Sequence, residues 1–151
     1  MVTVKRNESG RSNTLVLERT EVANSTNTLS DELLAERVID ELLAVDMGCI
    51  GTDLECTEEQ VSICAKDSSG PYDYEMTSKL IELAKANKIN YAVDIYPFYS
   101  SDASAALRGG ADIKAALIGA GIHASHGMER THIEGIINTI KLIEAYIDSL
   151  K

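Results

Sequence analysis

The feature that most constrains this chain is a change of hydrophobic period that repeats from residue 42 onward. Short apolar runs of strand character alternate with segments whose apolar residues recur every three to four positions. LLAV at 42–45 is a continuous apolar run ending at Asp46, as expected of a buried parallel strand. QVSICA at 60–65 alternates like a second strand, and SSGP at 68–71 predicts a turn. Residues 77–87 then predict an amphipathic helix with Leu80, Ile81, Leu83 and Ala84 on its apolar side. NYAVDIY at 90–96 is a third strand, 101–108 a short helix closed by Gly109-Gly110, and 115–118 a fourth strand. A last helix over 130–150 aligns Ile133, Ile136, Ile137, Ile140, Ile143, Ile147 and Leu150 on one face. Strands alternating with helices specify an α/β layered sheet.

The first 30 residues differ. They are rich in Asn, Ser and Thr, hold one apolar run at 15–17, and are expected to be loosely attached or partly disordered. A helix is expected to follow them, with Ser30 as N-cap and Leu33, Leu34 and Val38 facing inward. The whole chain of 151 residues suits one domain. Its 24 acidic against 14 basic residues leave a net charge of −10, which disfavours nucleic acid and anionic membrane surfaces as partners. No apolar run approaches the ~20 residues that span a bilayer. MVTVKRNESG carries no apolar signal segment, and three cysteines make no disulfide framework, so a cytoplasmic location with reduced thiols is expected.

In open α/β sheets, ligands sit in the crevice at the carboxyl ends of strands. Polar residues gather at those points here: Asp46, then Ser100-Ser101-Asp102, then residues 119–132, which contain all three histidines, His123, His126 and His132. Imidazole and carboxylate at neighbouring strand ends are donors that a catalytic Zn²⁺ or Co²⁺ accepts. Each of these residues also has a plainer reading. Asp46 is equally a turn or helix cap, and a loop histidine is more often a surface hydrogen-bonding group. Asp102 fits a helix N-terminus favoured by the dipole. Cys49, Cys56 and Cys64 read as small hydrophobes, and Glu55, Glu58 and Glu59 as a solvated acidic edge. Ser104 lacks the GxSxG context of a serine hydrolase.

Taken in order, LLAVDMG at 42–48, KDSSGPYDYEMTSKLIELAK at 66–85, DIYPFYSSDASAALRGG at 94–110 and ALIGAGIHASHGMERTH at 116–132 resemble the glutamyl (tetrahedral) aminopeptidase family of two-metal exopeptidases. The resemblance runs over residues 34–146. It implies a three-layer α/β/α, peptidase-like catalytic domain with a mostly parallel sheet and two metal ions, zinc or cobalt. It further implies a peptide substrate and assembly into homo-oligomers. By this resemblance Asp46 is a metal ligand and His126, within ASHGMER, is the histidine ligand of the second metal, with His123 and His132 as alternatives. Asp102 matches a GTDA-like segment beside the substrate cleft.

The departures from the family are specific. The family also uses an early histidine, a bridging aspartate, an adjacent Glu-Glu pair before the strand ending at Asp46, and an inserted β-barrel domain. Every histidine here follows residue 122, and no adjacent Glu-Glu pair precedes Asp46, Asp31-Glu32 being an acidic pair in a context that does not match. No general-base glutamate is identifiable. The resemblance thus implies an incomplete fold: residues 31–151 as the C-terminal portion of a metallo-aminopeptidase catalytic domain, behind a divergent segment at 1–30. The expected activity is metal-dependent hydrolysis of N-terminal residues from peptides, weak or absent in this chain alone. Two alternatives are one half of a split enzyme completed by a missing N-terminal half, and a non-catalytic interaction scaffold.

Overall fold

A computed structural model describes residues 40–150 and the backbone of Val2 and Thr3. The helix expected after Ser30 and the loosely attached segment before it lie outside the described residues. In chain order the elements are β1 (Val2–Thr3), β2 (Glu41–Cys49), β3 (Val61–Asp67), β4 (Gly70–Pro71), α1 (Tyr74–Ala86), β5 (Tyr91–Ile95), α2 (Asp102–Arg108), β6 (Lys114–Ile122) and α3 (Ile133–Asp148).

The sheet is α/β in kind but mixed in direction. β2 and β6 run parallel over nine residues each, from Glu41 opposite Lys114 to Cys49 opposite Ile122. β3 and β5 form a second parallel pair. The two pairs join along an antiparallel seam between β3 and β6, with Ile63 opposite Ile118. The short β1 and β4 add antiparallel to β2 and β3. The hydrophobic pattern did not reveal that seam, because strands buried on both faces read alike in either direction.

Three layers result. On one side of the sheet Leu43, Val61, Ile63 and Ile118 pack against Leu80 of α1 and against Leu142 and Tyr146 of α3. On the other side Leu42, Ala44, Cys64 and Leu117 pack against Tyr96 and against Ala103 and Ala106 of α2. The helix ends follow from their caps. Asp73 accepts a hydrogen bond from Met76 N at 2.8 Å and starts α1 three residues earlier than the apolar pattern indicates. Ser101, expected as the first residue of the next helix, is instead the N-cap of α2, its side chain accepting from Ser104 N.

Two expectations need correction. The strands around residues 42 and 115 do not stop where their apolar runs stop. β2 continues past Asp46, and β6 past Ile118, because Gly48, Gly119 and Gly121 let neighbouring backbones approach closely: a Cβ on Gly119 would lie 2.0 Å from Asp46 O. The residues aligned on the last helix form its buried face only in part: Ile143 and Leu150 are half-buried against the core. Gly135, Asn138, Thr139, Leu142 and Tyr146 are buried, while Ile133, Ile136 and Ile140 are exposed. The N-terminal half of α3 sits against the loop before β3, where Asn138 Nδ2 donates to Glu59 O at 2.9 Å. A Cβ on Gly135 would lie 2.3 Å from Glu58 O, so only a small residue permits this docking.

Because a backbone carbonyl cannot swing aside as a side chain can, Gly119→Ala is expected to lower unfolding stability by about 1–3 kcal/mol in urea titration. Gly51→Ala meets only Leu54 side-chain atoms at 3.6 Å and beyond, and should stay within about 0.5 kcal/mol. Equal urea midpoints for the two variants would contradict the close-approach account.

Candidate functional site

A cleft of about 450 Å³ opens on the α2 side of the sheet, within the size range of small-molecule sites. β2 contributes Val45, Asp46, Met47 and Cys49, and β6 contributes Leu117 and Ile122. Tyr96, Tyr99 and Ser100 come from the connection between β5 and α2, and His126 and Glu129 from the loop after β6. Asp46 is the sixth of nine residues in β2, paired with Gly119, and so does not terminate its strand. Its Oδ1 accepts a hydrogen bond from Met47 N at 2.8 Å.

His126 is held by its loop. Its φ of 62° and that of Ala124, 58°, are in the left-handed region that non-glycine residues seldom occupy. Glu129 Oε1 accepts from His126 N at 3.1 Å. The imidazole stacks on Tyr99, with centroids 5.8 Å apart and planes inclined by 2°. Two further ties close the loop. His123 and Arg130 exchange backbone hydrogen bonds at 2.8 and 3.1 Å, and Arg130 forms an ion pair with Glu58 at 2.8 Å. Glu58 is therefore a fixed tether for this loop and not merely part of a solvated edge.

The structure thus brings Asp46 and His126 to one cleft. It does not bring His123, His132 or Asp102 there. His123 is exposed within its backbone pairing. His132 is the N-cap of α3, where Nδ1 accepts from Glu134 N at 3.2 Å. Asp102 is an exposed residue in the first turn of α2, directed outward because Ser101 takes the capping position; the neighbouring Ser100 lines the cleft instead. Among the described residues no three His, Cys, Asp or Glu side chains converge as a metal site. Catalytic zinc ordinarily takes three protein ligands. The described residues alone therefore do not complete a site for the metals that the resemblance implies.

Cysteine thiolates do not supply the missing donors. Burial, reinforced by the Asp46 and Asp94 carboxylates, pushes the Cys49 thiol up to about 11. Cys56 and Cys64 are both pushed up to about 12, again chiefly by burial. All three are buried, free and protonated at neutral pH.

The sequence reading missed Glu129 and Tyr99, and also a buried polar cluster behind the cleft wall. Asp67 is fully buried. Its Oδ1 accepts from Ser69 N at 2.7 Å and Gly70 N at 3.2 Å, and its Oδ2 accepts from the Tyr72 hydroxyl at 2.7 Å and from Ser104 Oγ. Ser101 Oγ lies 2.6 Å from the same tyrosine oxygen. The adjacent Ser68 N donates to Tyr99 O at 2.9 Å, so this cluster anchors the segment that carries Tyr99 and Ser100. The DSSG segment at 67–70 is the signal for it, an aspartate bonding its own backbone across a turn. Burial opposes ionisation of Asp67, but the hydrogen bonds from Ser104, Tyr72, Ser69 and Gly70 outweigh it and hold the carboxyl below its ordinary value.

With this geometry in hand, the likeness to known proteins is direct. A model of the M42 glutamyl aminopeptidase family matches residues 26–142. The chain belongs to that family. It is 52% identical over 109 residues to the Bacillus subtilis (strain 168) protein named "Putative aminopeptidase YhfE", an alignment covering 72% of this chain and 32% of that one. Two solved structures share the fold. TET1 peptidase of Pyrococcus horikoshii, which can assemble into a tetrahedron or a large octahedral shell, matches with a TM-score of 0.67 at 22% identity, over 77% of this chain and 35% of that one. Aminopeptidase APDkam598 from the archaeon Desulfurococcus kamchatkensis matches at 0.66 and 19% identity, over 74% and 34%. This chain spans about a third of the length of these relatives.

The lowered pKa of Asp67 yields a prediction of definite sign. A carboxyl depressed in the folded state stabilises above the ordinary carboxylate value, and that contribution is lost as pH falls through the folded value. Asp67→Asn should therefore cost about 1.5–3 kcal/mol at pH 7. The difference from the parent should shrink as pH falls below 3.8. A pH-independent difference in urea midpoints would contradict this.

Proposed function

We propose that residues 31–151 are part of the catalytic unit of a metal-dependent aminopeptidase that removes N-terminal residues from peptides, behind a divergent segment at 1–30. In this reading Asp46 and His126 are its donors to a divalent metal, zinc or cobalt, with His123 and His132 the alternatives to His126. The observation that carries it is that one cleft, within the residues 26–142 that match the family, is lined by both of those side chains. Asp102 supports the cleft indirectly, as the first helical residue after Ser100 and Ser101. The early histidine and the Glu-Glu pair that the family uses are not in this sequence, so the remaining ligands and the general base come from other polypeptide and this chain alone is a weak or inactive peptidase.

The same reading places the chain in a homo-oligomer or against the missing part of the enzyme. Support comes from apolar residues left exposed among the described residues: Val93 and Ile95 on β5, and Ile133, Ile136 and Ile140 on α3. A scaffold role draws on the same surfaces. A cytoplasmic setting agrees with the three free thiols. No helix among the described residues is long and apolar enough to cross a membrane.

Hydrolysis of amino-acid p-nitroanilides by the full chain, with Zn²⁺ or Co²⁺ added, tests the proposal. We expect release at least about 10²-fold slower than by a full-length relative assayed alongside, since loss of a general base alone removes about 10²–10⁴-fold. Metal-dependent release at the relative's rate would contradict it.

A further inference from the structure

The polarity of the cleft is graded from floor to rim. Its floor is made by Cys49, Tyr96 and Leu117, all buried, and its walls include the half-buried Val45, Met47 and Ile122. The exposed rim carries Asp46, Glu129, His126 and Ser100. Among the described residues no lysine or arginine lines it. On the floor the one hydroxyl, that of Tyr96, already donates to Ser62 Oγ at 2.5 Å.

We propose that this cleft selects a primary amine bearing an aliphatic side chain, with the side chain on the Leu117–Tyr96 floor and the ammonium at the Asp46–Glu129 rim, and that it rejects an acidic side chain. The inference rests on the reading of this cleft as the substrate cleft, and it departs from the glutamyl preference in the family's name. An aliphatic side chain on the floor leaves water for an apolar surface, which is favourable in proportion to the area covered. A carboxylate there loses its hydration, meets no lysine, arginine or free floor hydroxyl among the described residues, and lies near two further carboxylates. An ammonium at the rim gains charge-assisted hydrogen bonds to those same carboxylates. The floor carries the side-chain preference, so the preference does not depend on what Asp46 binds.

Titration of the full chain in metal-free buffer, followed by NMR, tests this with three small probes: leucinamide, the α-amide of glutamic acid, and N-acetyl-leucinamide. Leucinamide should shift the Leu117 and Ile122 methyl resonances together with the Tyr99 and His126 rings. The glutamic acid amide should bind about ten-fold more weakly or worse, and the acetylated probe, which lacks the ammonium, several-fold more weakly. Binding of the glutamic acid amide as tight as that of leucinamide would overturn the proposal, as would the absence of any shift at these residues with all three probes. A parallel Zn²⁺ titration reads the His126 ring alone. It separates failure of the side-chain preference from failure of the metal-ligand reading.

Discussion

The parallel pairing of β2 with β6 is the contact on which the site depends. It aligns nine residues on each strand and sets Asp46 opposite Gly119. Both strands therefore reach the cleft together, β2 with its carboxylate and β6 with the loop that carries His126 and Glu129. The pairing holds its register because the residue facing Asp46 has no side chain. Any Cβ on Gly119 would strike the Asp46 carbonyl. The loop after β6 is tied in turn to the segment before β3, through Arg130 and Glu58 and through the close seat of Gly135 against Glu58 O.

Much of this arrangement is legible in the sequence. The alternation of periods gives the four long strands and the three helices in order, and the resemblance carries the three-layer fold. What it does not give has physical reasons. Strand direction is silent in a run buried on both faces, so the antiparallel seam between β3 and β6 has no sequence signature. Glycines that end an apolar run look like strand terminators, yet Gly48, Gly119 and Gly121 lengthen the strands here because a neighbouring backbone needs their space. The isoleucines of α3 mislead for a related reason. Its docking face is chosen by the small Gly135 and by the hydrogen bonds of Asn138 and Thr139, and these carry no hydrophobic signal.

The candidate site was legible in the same uneven way. Asp46 and His126 stand out by motif, and they share a cleft. His123 and His132 stand out equally by residue type, but one pairs its backbone with Arg130 and the other caps α3. Glu129 and Tyr99 carried no signal, since a loop glutamate and a tyrosine after a strand are ordinary surface residues. Their place beside His126 follows from the left-handed turn at 124–126, which no local pattern of glycine or asparagine announces. Asp67 was hidden inside a turn motif, although its network fixes the cleft wall that Tyr99 and Ser100 form.

The central claim is that Asp46 and His126 act as joint donors on one cleft. Calorimetric titration of Zn²⁺ into the full chain and into Asp46→Asn, His126→Ala, His123→Ala and His132→Ala measures it most directly. The account predicts binding that weakens at least about ten-fold in the first two variants and is unchanged in the last two. Unchanged affinity in Asp46→Asn and His126→Ala, or a loss confined to His132→Ala or His123→Ala, would contradict it.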